Sequence, residues 1–156
     1  MALTNPPLSL YDEWEMSIRV FIIDEHKLVR ESLTRRLAAL PGMDVVGNTG
    51  NGEEGLRLIK ELRPDVVLLD TKMKKADGMD VCKRACSSNG AVKVAILTSY
   101  TDPEERRMAY QAGVRGYLLK DIDMPKLVQW IRRLARNNGD KRSSRETKVE
   151  DATATA

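Results

Sequence analysis

Residues 65–70 read DVVLLD, four consecutive aliphatic residues, Val66 to Leu69, closed by an aspartate. An uninterrupted apolar run of this kind, rather than an alternating one, is what a strand buried on both faces requires. Outward from it the same signature recurs at Ile18–Ile23, Val92–Leu97 and Tyr117–Leu119, with a shorter run at Asp44–Val46. Segments of helical length separate these runs. Over Lys27–Leu40 the residues Leu28, Val29, Leu33, Leu37 and Leu40 recur at helical spacing. Asn51-Gly-Glu-Glu54 resembles a capping box, and the helix it opens must stop before Pro64. Asp102-Pro103-Glu104-Glu105 supplies an N-cap, a proline at the first helical position and two acids facing the helix dipole, and Gly113 suits the stop. The last helix is expected over Met124–Arg136, with Leu127, Val128, Ile131 and Leu134 on one face. The order βαβαβαβαβα predicts a parallel sheet covered by helices on both sides, an α/β three-layer sandwich.

Composition narrows the function. The chain has 156 residues and a formal net charge of +3, with 42% hydrophobic and 31% charged residues, an ordinary globular profile for one domain. No apolar run reaches the length of a membrane span, and the N-terminus lacks the basic-then-apolar pattern of a secretory signal. A soluble cytoplasmic domain with no membrane partner is expected. The single histidine, His26, excludes a multi-histidine site, and two cysteines, Cys82 and Cys86, are too few for a disulfide framework. Aromatic content of 4% argues against a surface that stacks single-stranded bases. Residues 1–16 are expected to form a leader outside the domain, residues 17–136 the domain, and residues 137–156 a polar, basic tail or truncated linker.

Ligands of open parallel sheets bind at the carboxyl ends of the strands. The residues that follow the apolar runs are Asp24 and Glu25, Asp70, Thr98 and Ser99, and Lys120. Three carboxylates on short loops suit a hard divalent cation, Mg²⁺ before Mn²⁺, with water in the remaining positions. Without a cation they would repel one another. Lys120 brings a point charge for a phosphoryl oxygen and Thr98 a hydroxyl for another. One carboxylate is then placed to act as nucleophile toward a phosphoryl donor, giving an acyl phosphate.

With these residues in hand the sequence resembles the response-regulator receiver domains of bacterial two-component signalling, over about Ile18 to Arg136. The resemblance is carried by RVFIIDEH with the acidic pair Asp24/Glu25, DVVLLD with Asp70, AILTS with Thr98, and GYLLKD with Tyr117 and Lys120. DEHKLVRESL and GYLLKD look most like the subfamily whose receivers precede a helix-turn-helix DNA-binding domain. The resemblance implies a flavodoxin-like (CheY-like) (βα)5 fold with strand order 2-1-3-4-5. It further implies Asp70 as phosphoacceptor for a sensor histidine kinase, and Mg²⁺ held by Asp24, Glu25, Asp70 and the backbone carbonyl of Lys72. Thr98 and Tyr117 are then the switch residues. The surface of the fourth helix, fifth strand and fifth helix becomes the signalling or homodimer face, and DNA a partner only through an output domain. Two departures stand out. Where the family usually shows Met-Pro, this chain reads Met73-Lys74, and the residue after Lys120, often proline, is Asp121.

Several residues have plainer alternatives. Lys72 could shield a phosphoryl group from water or simply be an exposed loop lysine, and Tyr100, at the pocket rim, is likewise balanced. His26 is expected in the first turn of a helix, not as a ligand. Trp130 would suit a docking anchor if its ring points outward, or packs against the end of the chain. The basic run from Arg132 to Arg145 is expected to be a solvated helix face and linker, with at most weak, salt-sensitive nucleic-acid contact. Two competing functions remain: a phosphorylation-independent pseudo-receiver that binds or dimerises, and an aspartyl-phosphate phosphatase. The Asp24-Glu25-His26 spacing disfavours the second, which calls for Asp-x-Asp. The domain is expected to be a signalling protein and not a turnover enzyme.

Overall fold

The computed structural model describes residues 17–87 and 91–136. Five strands, β1 (Ile18–Ile23), β2 (Met43–Thr49), β3 (Val66–Leu69), β4 (Lys93–Thr98) and β5 (Gly116–Leu119), form one parallel sheet in the order β2-β1-β3-β4-β5. The helices are α1 (Lys27–Ala38), α2 (Gly52–Leu62), α3 (Gly78–Ser87), α4 (Pro103–Ala112) and α5 (Met124–Arg136). The flavodoxin-like (βα)5 sandwich expected from the sequence is the fold found. The expected leader 1–16 and tail 137–156, with the basic residues Lys141, Arg142 and Arg145, lie outside the described residues.

The pleat divides the core in two. Phe21, Ile23, Val67, Leu69, Val94, Ile96 and Tyr117 point to the side of α2, α3 and α4, where Leu56, Ile59, Val81, Cys82, Ala85 and Ala109 meet them. Val20, Ile22, Val66, Leu68, Ala95, Leu97 and Leu118 point to α1 and α5, against Leu37, Leu127, Val128, Ile131 and Leu134. Every residue of β3 is buried, which is why its sequence alternates in nothing. Strand β2 runs longer than the apolar stretch Asp44–Val46, because it is an edge strand with partly exposed residues that need not be apolar.

The caps follow the sequence. Asn51 accepts from the Glu54 N–H, while the Glu54 carboxylate takes the Thr49 hydroxyl instead of closing the box. Asp102 accepts from the N–H groups of Glu104 and Glu105, and Gly113 ends α4 at φ 111°. Helix α2 ends at Arg63, held left-handed at φ 49°. Two side-chain placements go beyond what the helical period alone decides. Leu28 and Val29 are exposed (81% and 41%), because the buried face of α1 is set by Leu37 with Leu33 and Leu40 beside it. Trp130 is no outward anchor: it is half-buried, its ring lying so near Gly116 that an added Cβ there would stand 3.1 Å from it.

Candidate functional site

Strands β1 and β3 are neighbours, and their ends carry Asp24 and Asp70, both buried (4% and 1% exposed). Backbone bonding continues past the strands to fix both residues: the Asp70 N–H donates to the Ile23 carbonyl and the Asp24 N–H to that of Thr49. One strand beyond β4, the Lys120 N–H donates to the Thr98 carbonyl, and the side chain reaches back across the sheet edge. Its Nζ lies 2.8 Å from Asp24 Oδ2 and 2.8 Å from Asp70 Oδ2. Burial works against the Lys120 charge, but the hydrogen bonds to Asp24 and Asp70 prevail and hold its pKa above the ordinary lysine value.

Further groups finish the pocket. The His26 N–H donates to Asp24 Oδ1 at 2.8 Å, and its ring Nδ1 lies 3.2 Å from that oxygen and 3.6 Å from Asp70 Oδ2. His26 is the N-cap of α1, which is what brings its ring over the pocket. Arg30 Nη1 donates to the Asp24 carbonyl at 2.6 Å and Nε to Asn48 Oδ1 at 3.0 Å, tying α1 to the β1 end. The Lys72 N–H donates to Asp70 Oδ1 at 2.9 Å. Two buried carboxylates therefore share a single ammonium, which leaves negative charge uncompensated. Asp24, His26 and Asp70 each offer a ligand atom within 4.8 Å of the others. The two carboxylates suit a hard oxygen-seeking cation; the imidazole adds nothing such an ion prefers.

The remaining predicted residues stand apart from this trio. Glu25 is turned to the loop after β3, where its Oε2 accepts from the N–H groups of Lys74 (2.7 Å) and Lys75 (3.3 Å). Lys74 occupies the position of the family's proline, which has no N–H to give. Thr98 is fully buried and donates its hydroxyl to the Tyr100 carbonyl at 2.9 Å. Tyr117 is turned inward; its hydroxyl donates to Glu105 Oε1 at 2.9 Å and accepts from the Asp102 N–H. Lys72 Nζ lies 2.9 Å from Glu105 Oε2 and 4.4 Å from the centre of the exposed Tyr100 ring. Lys120–Asp121 is not cis, for no cis peptide bond is present among the described residues.

Sequence reasoning missed three contributors. Glu105 was legible only as an acid in the first turn of α4, yet it accepts from Thr71, Lys72 and Tyr117. Arg30 carried no signal, because a surface arginine on a helix is unremarkable. His26 follows the acidic pair directly, and that adjacency was the available sign.

Residues 20–132 match the family model described as the response regulator receiver domain. The response regulator GacA of Pseudomonas aeruginosa is 40% identical over 118 residues, which is 75% of this chain and 55% of that protein. The transcriptional regulatory protein LiaR of Bacillus subtilis is 38% identical over 115 residues, 74% of this chain and 54% of that protein. The chain thus spans about half the length of the curated relatives it matches. Among solved structures, the signal receiver domain of a NarL-type response regulator from Mycobacterium tuberculosis superposes with a TM-score of 0.71 at 34% identity, covering 78% of this chain and 98% of that one. A receiver-type sheet, an acidic pocket at its carboxyl edge and these likenesses agree: the chain belongs to the receiver-domain family of two-component response regulators.

Proposed function

We propose that the protein accepts a phosphoryl group on Asp70 from a sensor histidine kinase and so serves as a phosphorylation switch in the cytoplasm, as the regulatory part of a transcription factor. The observation that carries this is the Asp70 carboxylate, 1% exposed, with Lys120 Nζ at 2.8 Å and the Asp24 carboxylate bonded to the same ammonium. An Asp70 oxygen attacks phosphorus, the bond from phosphorus to the donor's imidazole nitrogen breaks, and that nitrogen keeps the electron pair. Lys120 meets the charge on the phosphoryl oxygens in flight. Asp24, Asp70 and the Lys72 carbonyl are the groups that would hold Mg²⁺, or Mn²⁺ in its place, with Glu25 joining them on releasing the Lys74 and Lys75 N–H groups. The bound ion supplies neutralisation of the transferring phosphoryl. Docking of the kinase beside α1 is supported by the exposed Leu28 and Val29, which flank a groove of about 300 Å³ that also reaches Asp24 and Lys120.

After transfer, Thr98 leaves the Tyr100 carbonyl for a phosphoryl oxygen, and the α4–β5–α5 surface changes partners, in a population shift driven by local charge. Homodimerisation through that surface is the expected output, with DNA engaged only through a further domain of the kind the longer relatives carry. Phosphorylation and its loss are self-catalysed; the domain is not a turnover enzyme. The test is intact-protein mass after incubation with Mg²⁺ and acetyl phosphate. One phosphoryl adduct is expected in the wild type, absent from Asp70→Asn and lost on adding a chelator. No adduct even after rapid quenching would leave a phosphorylation-independent pseudo-receiver as the better account.

A further inference from the structure

We infer that Glu105, in the first turn of α4, is a positioning residue that draws the Lys72 ammonium away from Asp70 and thereby sets the lifetime of the phosphoryl group. The inference rests on Asp70 being the phosphoacceptor, and it concerns regulation of that same site. One carboxylate gathers three donors from two places. Glu105 Oε1 accepts from the Thr71 hydroxyl at 2.8 Å and the Tyr117 hydroxyl at 2.9 Å, while Oε2 takes the Lys72 ammonium at 2.9 Å. Thr71 and Lys72 are the two residues directly after Asp70, and the Lys72 N–H is itself bonded to Asp70 Oδ1. The loop that carries the phosphoacceptor is thus fastened to α4 and, through the same carboxylate, to the inward Tyr117.

The clamp is well built. Glu105 and Lys72 side chains are only 12% and 21% exposed, so their attraction is less screened than that of a surface pair. The Tyr100 ring closes the other side, 4.4 Å from Nζ, a cation–π contact. Glu105 also sits where the helix dipole favours a carboxylate.

Lys72 therefore has a partner that competes with any anion on Asp70. An acyl phosphate at Asp70 presents three charged oxygens to the same ammonium. In hydrolysis, a water oxygen attacks phosphorus and the bond from phosphorus to the Asp70 oxygen breaks. The electron pair returns to the carboxylate, and the water's protons pass to phosphate and solvent. A lysine lying across the phosphoryl group obstructs that water. With Glu105 holding Lys72 aside, the water path stays open and the signal is short; with the clamp gone, Lys72 covers the group and the signal lasts.

The experiment measures decay of the Asp70 adduct, after acetyl phosphate is removed, in wild type, Glu105→Gln, Lys72→Met and the double variant. Glutamine still accepts from Tyr117 and Thr71 but loses the charge that holds Lys72. Glu105→Gln is expected to lengthen the adduct lifetime about two- to fivefold, the range set by loss of one partly screened ion pair. In the Lys72→Met background the same change is expected to do nothing. Glu105→Ala, which removes the carboxylate altogether, is expected to lengthen the lifetime similarly, and the far-UV circular dichroism of each variant checks its folding. Equal lifetimes in wild type and both Glu105 variants, or the same lengthening with Lys72→Met, would overturn the inference. Failure of the wild type to form any adduct would instead count against Asp70 as phosphoacceptor, and take this inference with it.

Discussion

Lys120 and Tyr117 show how single side chains are fixed by what surrounds them. Lys120 stands between two buried carboxylates that would otherwise repel, and both oxygens lie 2.8 Å from its Nζ. The tyrosine hydroxyl is pushed up from its ordinary pKa of 10.0, first by burial and further by the Glu105 carboxylate, against a lowering contribution from the Asp102 N–H. The native state therefore keeps a proton that the unfolded chain gives up once pH exceeds the ordinary tyrosine value. Stability contributed by Tyr117 is complete below that pH and is lost as pH rises through the folded value. An absorbance titration of tyrosinate should show Tyr117 ionising late in the native protein. Tyr117→Phe should remove it and flatten the alkaline fall in stability. A titration unchanged by Tyr117→Phe would show that the hydroxyl is not held as described.

The elements are fixed mostly by patterns the sequence carries openly. Buried strands need unbroken apolar runs, so β1, β3 and β4 were legible from Ile18–Ile23, Val66–Leu69 and Val92–Leu97, and their ends delivered Asp24, Asp70 and Thr98. Asp102 and Gly113 bounded α4 because caps are short-range chemistry. What was not legible depends on long-range contact. Leu28 and Val29 fit the helical period, but the sheet meets α1 further along, and no local pattern tells where. Glu105 and Lys72 lie 33 residues apart, so their pairing has no sequence signature. The Glu25 carboxylate was expected beside Asp24, yet backbone donors at Lys74 and Lys75 take it, and backbone donors leave no trace in composition. The helix ends yield a paired prediction in urea unfolding. Arg63→Gly should stabilise by about 0.5–1 kcal/mol, since φ 49° strains a side chain and suits glycine. Gly113→Ala, at φ 111°, should cost about 1–2 kcal/mol. Two shifts of the same sign would contradict this account of the caps.

At the scale of the whole molecule, the sheet is a rigid frame whose carboxyl edge gathers charge that the fold itself does not balance. A cation that binds this edge only in the native state must stabilise the entire domain. At free Mg²⁺ about 100 times its dissociation constant, the gain should be about 2.7 kcal/mol. Chelation should reverse it, and Asp24→Asn should abolish most of it, both read from unfolding midpoints. A gain that survives Asp24→Asn would place the ion elsewhere. The relatives are response regulators and transcriptional regulators about twice as long as the matched segment. Everything proposed here for signalling nevertheless converges on one oxygen of one side chain, and the chemistry of an acyl phosphate makes that testable. Borohydride reduces an acyl phosphate, but not a free carboxylate, to an alcohol. Protein treated with Mg²⁺ and acetyl phosphate, then with borohydride, should carry that reduced side chain at position 70 when its peptides are sequenced by mass spectrometry. Reduction at another carboxylate, or at none, would contradict Asp70 as the phosphoacceptor.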